Sequence, residues 1–431
     1  MLMDHEISIY DFVCALAEAV DLVSPVLNNH HKRVTYISCC LALEMNLPTD
    51  DIQDIVLASM LHDIGAFSIG ERLKDAMFEF HDSRLNEHCM LGYKLLKDFE
   101  PLKKAAVLIR YHHMDYDSIK HYIPIGSHII HLADRVAVLI DDKNEILEQI
   151  PGVLENIMMR RSQFHPRTLD ALEKLSILEY FWVEAFSSSV ESNLQKKLHF
   201  SKEIIDLETL RNFAKVVAQI IDFRNRFTAT HSSGVAAVAK ELTVISGFSE
   251  RECILMEIAG FLHDLGKLAV PNEILEKNGQ LDMKEIFTVK KHTYYTYSIL
   301  SKIHGLEHIA EWAAHHHERQ DGNGYPFHVK GRDFSKLARV MAVADIITAL
   351  TEDRPYRAGM NLKRAVDVLF AMADDGGIDK SIVELANENF FRINSVRIKA
   401  QNEARTEYET FHNSGILLAF EARDSMLEYA I

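Results

Sequence analysis

The feature that most constrains the fold of this chain is a repeat that relates its two halves. The string LASMLHDIG in the first half recurs, 201 residues later, as IAGFLHDLG, and His30 recurs at the same offset as His231. Self-similarity at a fixed offset indicates that one structural unit occurs twice. The sequence therefore predicts two related domains in tandem.

Each repeat contains the same ordered set of seven side chains that can bind a metal ion. A single histidine in a helix is more often a surface or core residue, but seven candidates that occur twice in one order favour metal ligands. The first set is His30, His62, Asp63, His88, His112, His113 and Asp134. The second set is His231, His263, Asp264, His292, His316, His317 and Asp345.

Helical patterns dominate the chain. Gly and Pro are sparse, with 18 and 9 residues, and residues 52–61 and 337–350 carry apolar side chains at helical spacing. We therefore predict an all-α protein with two tandem helical domains, at residues 1–190 and 191–431. A helical connector is expected within residues 151–206, and a helix that packs on one domain is the alternative. A homodimer through this connector is a further hypothesis.

Composition narrows the range of partners. No uninterrupted apolar run approaches the roughly 20 residues of a membrane helix, so we expect a cytoplasmic protein without a membrane partner. The net charge of -16 argues against duplex nucleic acid, which requires a basic face. The five cysteines lack CxxC spacing, so we expect neither a disulfide framework nor a thiolate zinc site. A small anionic ligand remains compatible, because metal ions supply local positive charge.

The second ligand set can hold two metal ions. A carboxylate can bridge two ions through its two oxygens, and Asp264 is the candidate bridge. We expect one ion to be completed by His231, His263 and Asp345, and the other by His292, His316 and His317. Such mixed imidazole and carboxylate shells suit iron, manganese, zinc or nickel. In a two-metal site, water is activated for attack on phosphorus without a serine or cysteine nucleophile.

Three long motifs in the second half match a known family. They are HDLGKLAVPNEIL, HHHERQDGNGYP and ARVMAVADIITALTEDRPYR, and they occur in the family's order between His231 and Arg357. The second half thus resembles the HD-GYP family, a branch of the HD phosphohydrolase superfamily whose members hydrolyse cyclic dinucleotides. The resemblance implies an HD-GYP catalytic domain at residues 191–431, preceded by an HD-like domain.

The resemblance also implies a catalytic centre. Lys267 would contact the scissile phosphate and stabilise its developing charge, next to His263 and Asp264. Some family members bind a third metal through an acidic residue, but here Phe227 stands in that place. We therefore expect two divalent ions, with iron or manganese favoured and nickel, magnesium or zinc as alternatives.

Further residues are implied in substrate binding. Arg354 and Arg357 would hold the second phosphate or a guanine, and Gly324 and Tyr325 belong to the signature loop at residues 321–326. A purely structural loop is the alternative. The family commonly has an aspartate three residues after the last metal ligand, whereas Thr348 stands there in this chain. This departure weakens any expectation of a hydrogen bond to an active-site water or an outer histidine.

The first half resembles a plain or degenerate HD domain. Ala66 stands where the second half has Lys267, and the segment corresponding to the signature loop is missing. Three interpretations compete: a regulatory domain, a separate phosphohydrolase that removes phosphate from the linear product, and a dimerisation scaffold. We favour regulation.

The resulting functional prediction is a metal-dependent phosphodiesterase that opens a bacterial cyclic dinucleotide to a linear 5′-phosphorylated dinucleotide. Cyclic di-GMP is the usual substrate of the family, while the tandem layout is similar to that of 3′3′-cGAMP phosphodiesterases. Sequence does not rank the two, because the choice of base depends on pocket contacts. The alternatives are a non-catalytic cyclic-dinucleotide receptor and an HD hydrolase of another nucleotide.

Overall fold

The structure, a computed structural model, describes residues 7–21, 29–69, 85–118, 123–197, 204–223, 229–277, 279–353 and 358–427. Helices account for nearly all regular structure in these ranges, which confirms the predicted all-α class. The strands described are Ile7–Ser8 and Ile204–Ile205, which pair in a two-stranded sheet. Backbone contacts divide the chain into two compact units, with residues 8–197 in the first unit and residues 204–420 in the second unit.

The first unit is a bundle built around the helix that begins at His30. Its helices are α1 Ile9–Asp21, α2 His30–Glu44, α3 Thr49–Met60, α4 Leu85–Leu96, α5 Lys103–Arg110, α6 Ile125–Leu139, α7 Ile146–Met159, α8 Pro166–Ser176, α9 Glu179–Ala185 and α10 Val190–Lys197. Helix α2 packs against α3 and α6. Phe181 and Trp182 of α9 are fully buried, so the helices within the predicted connector contribute to the core of this unit.

The second unit repeats this arrangement around the helix that begins at His231. Its helices are α11 Leu207–Asp222, α12 His231–Ile245, α13 Glu250–Leu262, α14 Asn272–Leu275, α15 Met283–Leu300, α16 Glu307–Ala314, α17 Lys336–Thr351, α18 Leu362–Asp374, α19 Lys380–Glu388 and α20 Phe390–Leu427. Helix α12 packs against α13 and α17. Among the predicted ligands, His231 begins α12, His263 directly follows α13, and Asp345 lies within α17.

Local sequence signals set the start and the packing of the central helices. Ser249 and Glu252 form a reciprocal capping box at the start of α13, which satisfies backbone N–H groups that lack a partner within the helix. A Cβ on Gly260 would lie 2.5 Å from the Cα of Ala236, so glycine is required where α13 crosses α12. The close approach brings the C-terminal end of α13 next to the first turn of α12.

Among the helices that the structure describes, none combines the length and the apolar character needed to cross a bilayer.

Candidate metal centres

In both units the His-Asp dipeptide follows a helix and enters a turn that lies against the helix with the third histidine. A Cβ on Gly266 would lie 1.9 Å from the carbonyl oxygen of His292, and a Cβ on Gly65 would lie 2.1 Å from that of His88. Only glycine permits so close an approach. The glycine of the HDxG string therefore lets each dipeptide lie next to the third histidine of its repeat.

Three histidines of the second unit are oriented by the backbone. The Nδ1 atoms of His263, His292 and His316 lie 2.8, 2.6 and 2.6 Å from carbonyl oxygens three residues earlier in the chain. Because a carbonyl can only accept, Nδ1 carries the proton and Nε2 retains its lone pair. The Nε2 atoms of His292 and His316 lie 3.2 Å apart. The rings thus present lone pairs to one buried cluster.

Asp264 lies between two groups of histidines. Its Oδ2 is 3.1 Å from Nε2 of His263, while its Oδ1 is 3.5 Å from Nε2 of His292 and 3.9 Å from Nε2 of His316. Lys267 donates a hydrogen bond of 2.5 Å to Oδ2. Burial alone would raise the pKa of Asp264, but its contacts with the His263 ring and the Lys267 ammonium group hold it well below the usual value. The carboxylate is therefore ionised and faces both groups.

His231 is held between two carboxylates. Its Nε2 lies 3.3 Å from Oδ1 of Asp345, and its Nδ1 lies 3.1 Å from Oε2 of Glu352. Burial lowers the pKa of His231, but Glu352 and Asp345 together raise it well above the usual value. The sequence analysis missed Glu352. The available signal was its position seven residues after Asp345, two turns along the same helical face.

The second cluster opens to solvent on one side. The side chains of His317 and Lys267 are 35% and 25% exposed, whereas those of His263, His292 and His316 are each 1% exposed. The ring of Tyr325 packs on His317 with centroids 5.0 Å apart. A ligand can therefore approach the cluster past these partly exposed side chains.

The signature loop is held against the cluster by Glu318. This buried carboxylate accepts hydrogen bonds from the backbone N–H groups of Phe327 and His328, at 2.6 and 3.0 Å. A Cβ on Gly324 would lie 2.5 Å from the Cα of Glu318, so only glycine fits where the loop folds back. The loop fold thereby places Tyr325 beside His317.

The remaining positions singled out in the sequence either lie outside the described residues or have a role within their own helix. Phe227, Arg354 and Arg357 lie outside the residues that the structure describes. Thr348 is buried, and its hydroxyl donates to the carbonyl of Ala344 in its own helix. Four residues further along, Glu352 contacts His231, one of the predicted metal ligands.

The first unit assembles its ligand set in a similar way. Nδ1 of His62 and His112 lies 2.8 and 2.7 Å from backbone carbonyl oxygens, which again leaves Nε2 facing the cluster. Asp63 places Oδ2 3.3 Å from Nε2 of His62 and Oδ1 3.2 Å from Nε2 of His88. Ala66 follows in the turn, so no ammonium group takes the place of Lys267 here.

The first cluster also contains an arginine, which contacts Asp134 and His113. Arg135 donates to Oδ2 of Asp134 at 2.9 Å and lies 3.2 Å from Nδ1 of His113. Asp134 also lies 3.3 Å from Nε2 of His30. In the second unit the corresponding ADI string has Ile346 after its aspartate. The sequence analysis missed this role of Arg135, although the residue directly follows a predicted ligand.

The donor atoms of the second unit fit metal binding. The donor atoms fall into two groups, and within each group all of them lie within 4.8 Å of one another. The groups are His231, His263 and Asp264, and His292, His316 and His317. Among the described residues, the buried Oδ1 of Asp264 has no hydrogen-bond partner, which is costly unless another species binds there. Burial lowers the pKa of His292 to about 3, so its imidazole is neutral and able to bind metal near neutral pH.

Comparison with known proteins gives a consistent result for both units. Family models described as HD domain match residues 27–139 and 215–382. The 3′3′-cGAMP-specific phosphodiesterase 1 of Vibrio cholerae is 28% identical over 396 residues, which cover 88% of this chain and 90% of that protein. A cyclic di-GMP phosphodiesterase of Thermotoga maritima is 30% identical over 188 residues, which cover 42% of this chain and 51% of that protein.

A solved structure shares the fold. The crystal structure of a cyclic GMP-AMP-specific phosphodiesterase of Vibrio cholerae superposes with a TM-score of 0.63 at 21% identity. The match covers 92% of this chain and 98% of that one. At this identity the comparison supports the tandem helical architecture.

Proposed function

This chain belongs to the HD-domain proteins and carries one such domain in each unit, and we propose that the second unit hydrolyses a cyclic dinucleotide. The observation that carries this proposal is the buried ligand cluster of the second unit, with Lys267 in contact with Asp264 at its open side. The cyclic-dinucleotide phosphodiesterases among its relatives support the reaction class. The chain is accordingly a phosphodiesterase of the cyclic-dinucleotide class.

The cofactor we propose is a pair of divalent ions, iron or manganese, with nickel, magnesium or zinc as alternatives. His231, His263 and Asp345 would hold one ion, His292, His316 and His317 the other, and Asp264 would lie between them. When bound, such ions supply an activated water and neutralise phosphoryl oxygens. The imidazoles that donate Nδ1–H to the backbone keep their Nε2 lone pairs in position for these ions.

Lys267 would provide the main charge stabilisation by the protein itself. Asp264 raises the pKa of Lys267 despite its burial, so the ammonium group keeps its proton near neutral pH. Since the side chain is 25% exposed, a phosphate at the open side can reach Nζ. A fixed ammonium group stabilises negative charge that develops on phosphate oxygens in the transition state.

The signature loop would form the wall of the substrate site. Glu318 and Gly324 fix the loop, and Tyr325 presents its ring beside His317 on the open side of the cluster. An aromatic ring at this place can stack on a nucleobase. We further propose that Arg354 and Arg357 bind the second phosphate or a guanine, as the sequence motif implies.

Of the two substrates, we propose 3′3′-cGAMP first and cyclic di-GMP second. The Vibrio cholerae 3′3′-cGAMP phosphodiesterase matches both units, whereas the Thermotoga maritima cyclic di-GMP phosphodiesterase matches less than half of this chain. A cytoplasmic location and a homodimer remain predictions from the sequence.

For the first unit we propose a regulatory role. Ala66 replaces the phosphate-binding lysine, and the side chains of His62, His88 and His112 are 0 to 5% exposed. A separate hydrolase of the linear product is the alternative. It would require the dinucleotide to reach the ligand cluster, whose side chains are buried.

The test is turnover of 3′3′-cGAMP and cyclic di-GMP, side by side, with full-length protein loaded anaerobically with iron or manganese. The His263→Ala/Asp264→Ala variant should lose turnover, while the matched His62→Ala/Asp63→Ala variant in the first unit should still open the ring. The products are separated by chromatography, which distinguishes the linear dinucleotide from its dephosphorylated form.

Different outcomes separate the competing functions. Tight binding of a cyclic dinucleotide without turnover under any metal would mean a receptor rather than an enzyme. Turnover only of another nucleotide, tested with a panel that includes guanosine polyphosphates and nucleoside monophosphates, would mean a different HD hydrolase. Loss of dephosphorylation in the His62→Ala/Asp63→Ala variant alone would support a second hydrolase in the first unit.

A further inference from the structure

Cys89 lies directly in the ligand cluster of the first unit. It follows His88 in α4 and is 1% exposed, and its Sγ lies 3.7 Å from Nε2 of His88 and 4.0 Å from Nε2 of His112. Cys89 forms no CxxC pair, which is why cysteine spacing argued against a thiolate site. The cluster nevertheless combines a thiol with imidazoles, and this is a donor combination typical of zinc.

The donor atoms around His88 lie at distances that suit one tetrahedral ion, while Nε2 of His112 and Oδ1 of Asp63 are 3.9 Å apart. For bonds of about 2.0 to 2.3 Å, neighbouring donors of a tetrahedral zinc site lie about 3.3 to 3.6 Å apart. Nε2 of His88 lies 3.4 Å from Nε2 of His112 and 3.2 Å from Oδ1 of Asp63. The distances from Cys89 Sγ to the same two nitrogen atoms, 3.7 and 4.0 Å, are only slightly longer.

The corresponding position of the second unit behaves differently. Thr293 follows His292 as Cys89 follows His88, and it is also buried. The hydroxyl of Thr293 donates to the carbonyl of Lys290, 3.0 Å away within its own helix. The thiol in the first cluster is therefore a property of that unit and is not shared by the repeat.

Arg135 contacts two predicted metal ligands of the first cluster. Its guanidinium contacts Asp134 and His113, which correspond to Asp345 and His317, one proposed ligand of each ion in the second unit. A cation this close neutralises the carboxylate and repels a divalent ion. The group of His30 and His62 thereby loses Asp134, whereas the group of His88 and His112 loses His113 but has the thiol of Cys89 beside it.

The first cluster is also closed. The side chains of its seven predicted ligands are no more than 8% exposed, whereas His317 opens the second cluster with 35% exposure. Structural zinc sites are closed in this way, and catalytic sites keep an open position. The geometry points to one thiophilic divalent ion, of the zinc class, bound by Asp63, His88, Cys89 and His112, with Arg135 in place of a second ion. This inference does not depend on the activity of the second unit.

The experiment uses a full-length variant that removes ligands of both proposed ions of the second unit, His263→Ala/Asp264→Ala combined with His292→Ala/His316→Ala. After removal of metals, the protein is titrated with Co²⁺ under anaerobic conditions. We expect one cobalt per chain and a near-ultraviolet thiolate-to-cobalt charge-transfer band. Adding Cys89→Ser should abolish the band, and the matched Cys253→Ser should preserve it. A band that persists in Cys89→Ser, or two ions per chain while Arg135 is intact, would overturn the inference.

A second measurement needs no variant. Cadmium NMR of the fully loaded wild-type protein should show one resonance strongly shifted downfield, because a thiolate ligand deshields cadmium far more than nitrogen or oxygen ligands do. If every resonance lies in the range of nitrogen and oxygen ligands, the thiolate ligand is wrong. The Arg135→Ala substitution, added to the same fourfold variant of the second unit, should raise the cobalt content from one to two per chain. An unchanged content would refute the role given to Arg135.

Discussion

Glu352 accepts a hydrogen bond from Nδ1 of His231, with its two carboxylate oxygens 3.2 and 3.1 Å from that nitrogen. The contact directs the opposite nitrogen, Nε2, towards Asp345. Gln401 of α20 donates to the same carboxylate at 3.2 Å, so the orienting residue is itself held in place. The first histidine of the second cluster thus depends on a carboxylate outside the predicted ligand set.

Substitution of this carboxylate should weaken metal binding. We expect Glu352→Gln to lower the affinity for Mn²⁺ about 10- to 100-fold, because a neutral amide does not supply the negative charge by which the carboxylate raises the basicity of His231. Titration of the metal-free protein with Mn²⁺ measures the effect. The exposed Glu388→Gln is the matched control. Equal affinities in the two variants would show that Glu352 does not support the site.

Removal of the lysine should affect turnover more than metal content. We expect Lys267→Ala to lower kcat for the cyclic dinucleotide about 10²- to 10³-fold, the range found when one donor to a developing oxyanion is lost. Metal analysis should show the same ion content as the wild type. The exposed Lys284→Ala serves as control and should retain full turnover. A normal kcat in Lys267→Ala would remove this residue from the catalytic centre.

A side chain at Gly324 should displace the signature loop. The new Cβ in Gly324→Ala would lie 2.4 Å from the backbone nitrogen of Arg319, so the backbone must shift and carry Tyr325 away from His317. We expect kcat/KM to fall at least about 10-fold, since misplaced binding groups cost up to about 100-fold. Steady-state kinetics of the neighbouring, exposed Asn323→Ala provide the comparison. Similar losses in both variants would contradict a specific need for glycine.

Acid should destabilise the first unit through His128. Burial and the nearby His165 lower the pKa of His128 to about 4, from 6.5. Because the unfolded chain binds this proton near pH 6.5 and the folded chain only near pH 4, the free energy of unfolding decreases as the pH falls through this interval. We expect His128→Gln to reduce the slope by up to about 1.4 kcal/mol per pH unit.

Urea unfolding of the full-length protein at a series of pH values measures that slope. The exposed His304→Gln is the control and should leave the pH dependence unchanged. If His128→Gln keeps the wild-type slope, the acid sensitivity arises from other groups.

Much of the fold and of the second cluster could be predicted from residue order. Helical spacing of apolar residues determined the all-α class, and the repeat of LASMLHDIG and IAGFLHDLG determined the tandem layout. Both depend on local periodicity or on identity between two segments, which a single chain displays directly. The histidines and aspartates of the repeated set also come together in each unit, and the first unit adds His31 and Cys89 to its groups.

The contacts that differ between the clusters could not be predicted in the same way. Glu352 contacts His231, which lies 121 positions earlier in the sequence, and Arg135 of α6 contacts His113, which precedes that helix. Within the described ranges neither contact recurs in the other unit, so no periodicity signals it. Exposure is also decided by packing, which leaves the second cluster open at His317. Residue order supplied the ligands, and packing decided their partners and their access to solvent, because both depend on which helix faces come together in space.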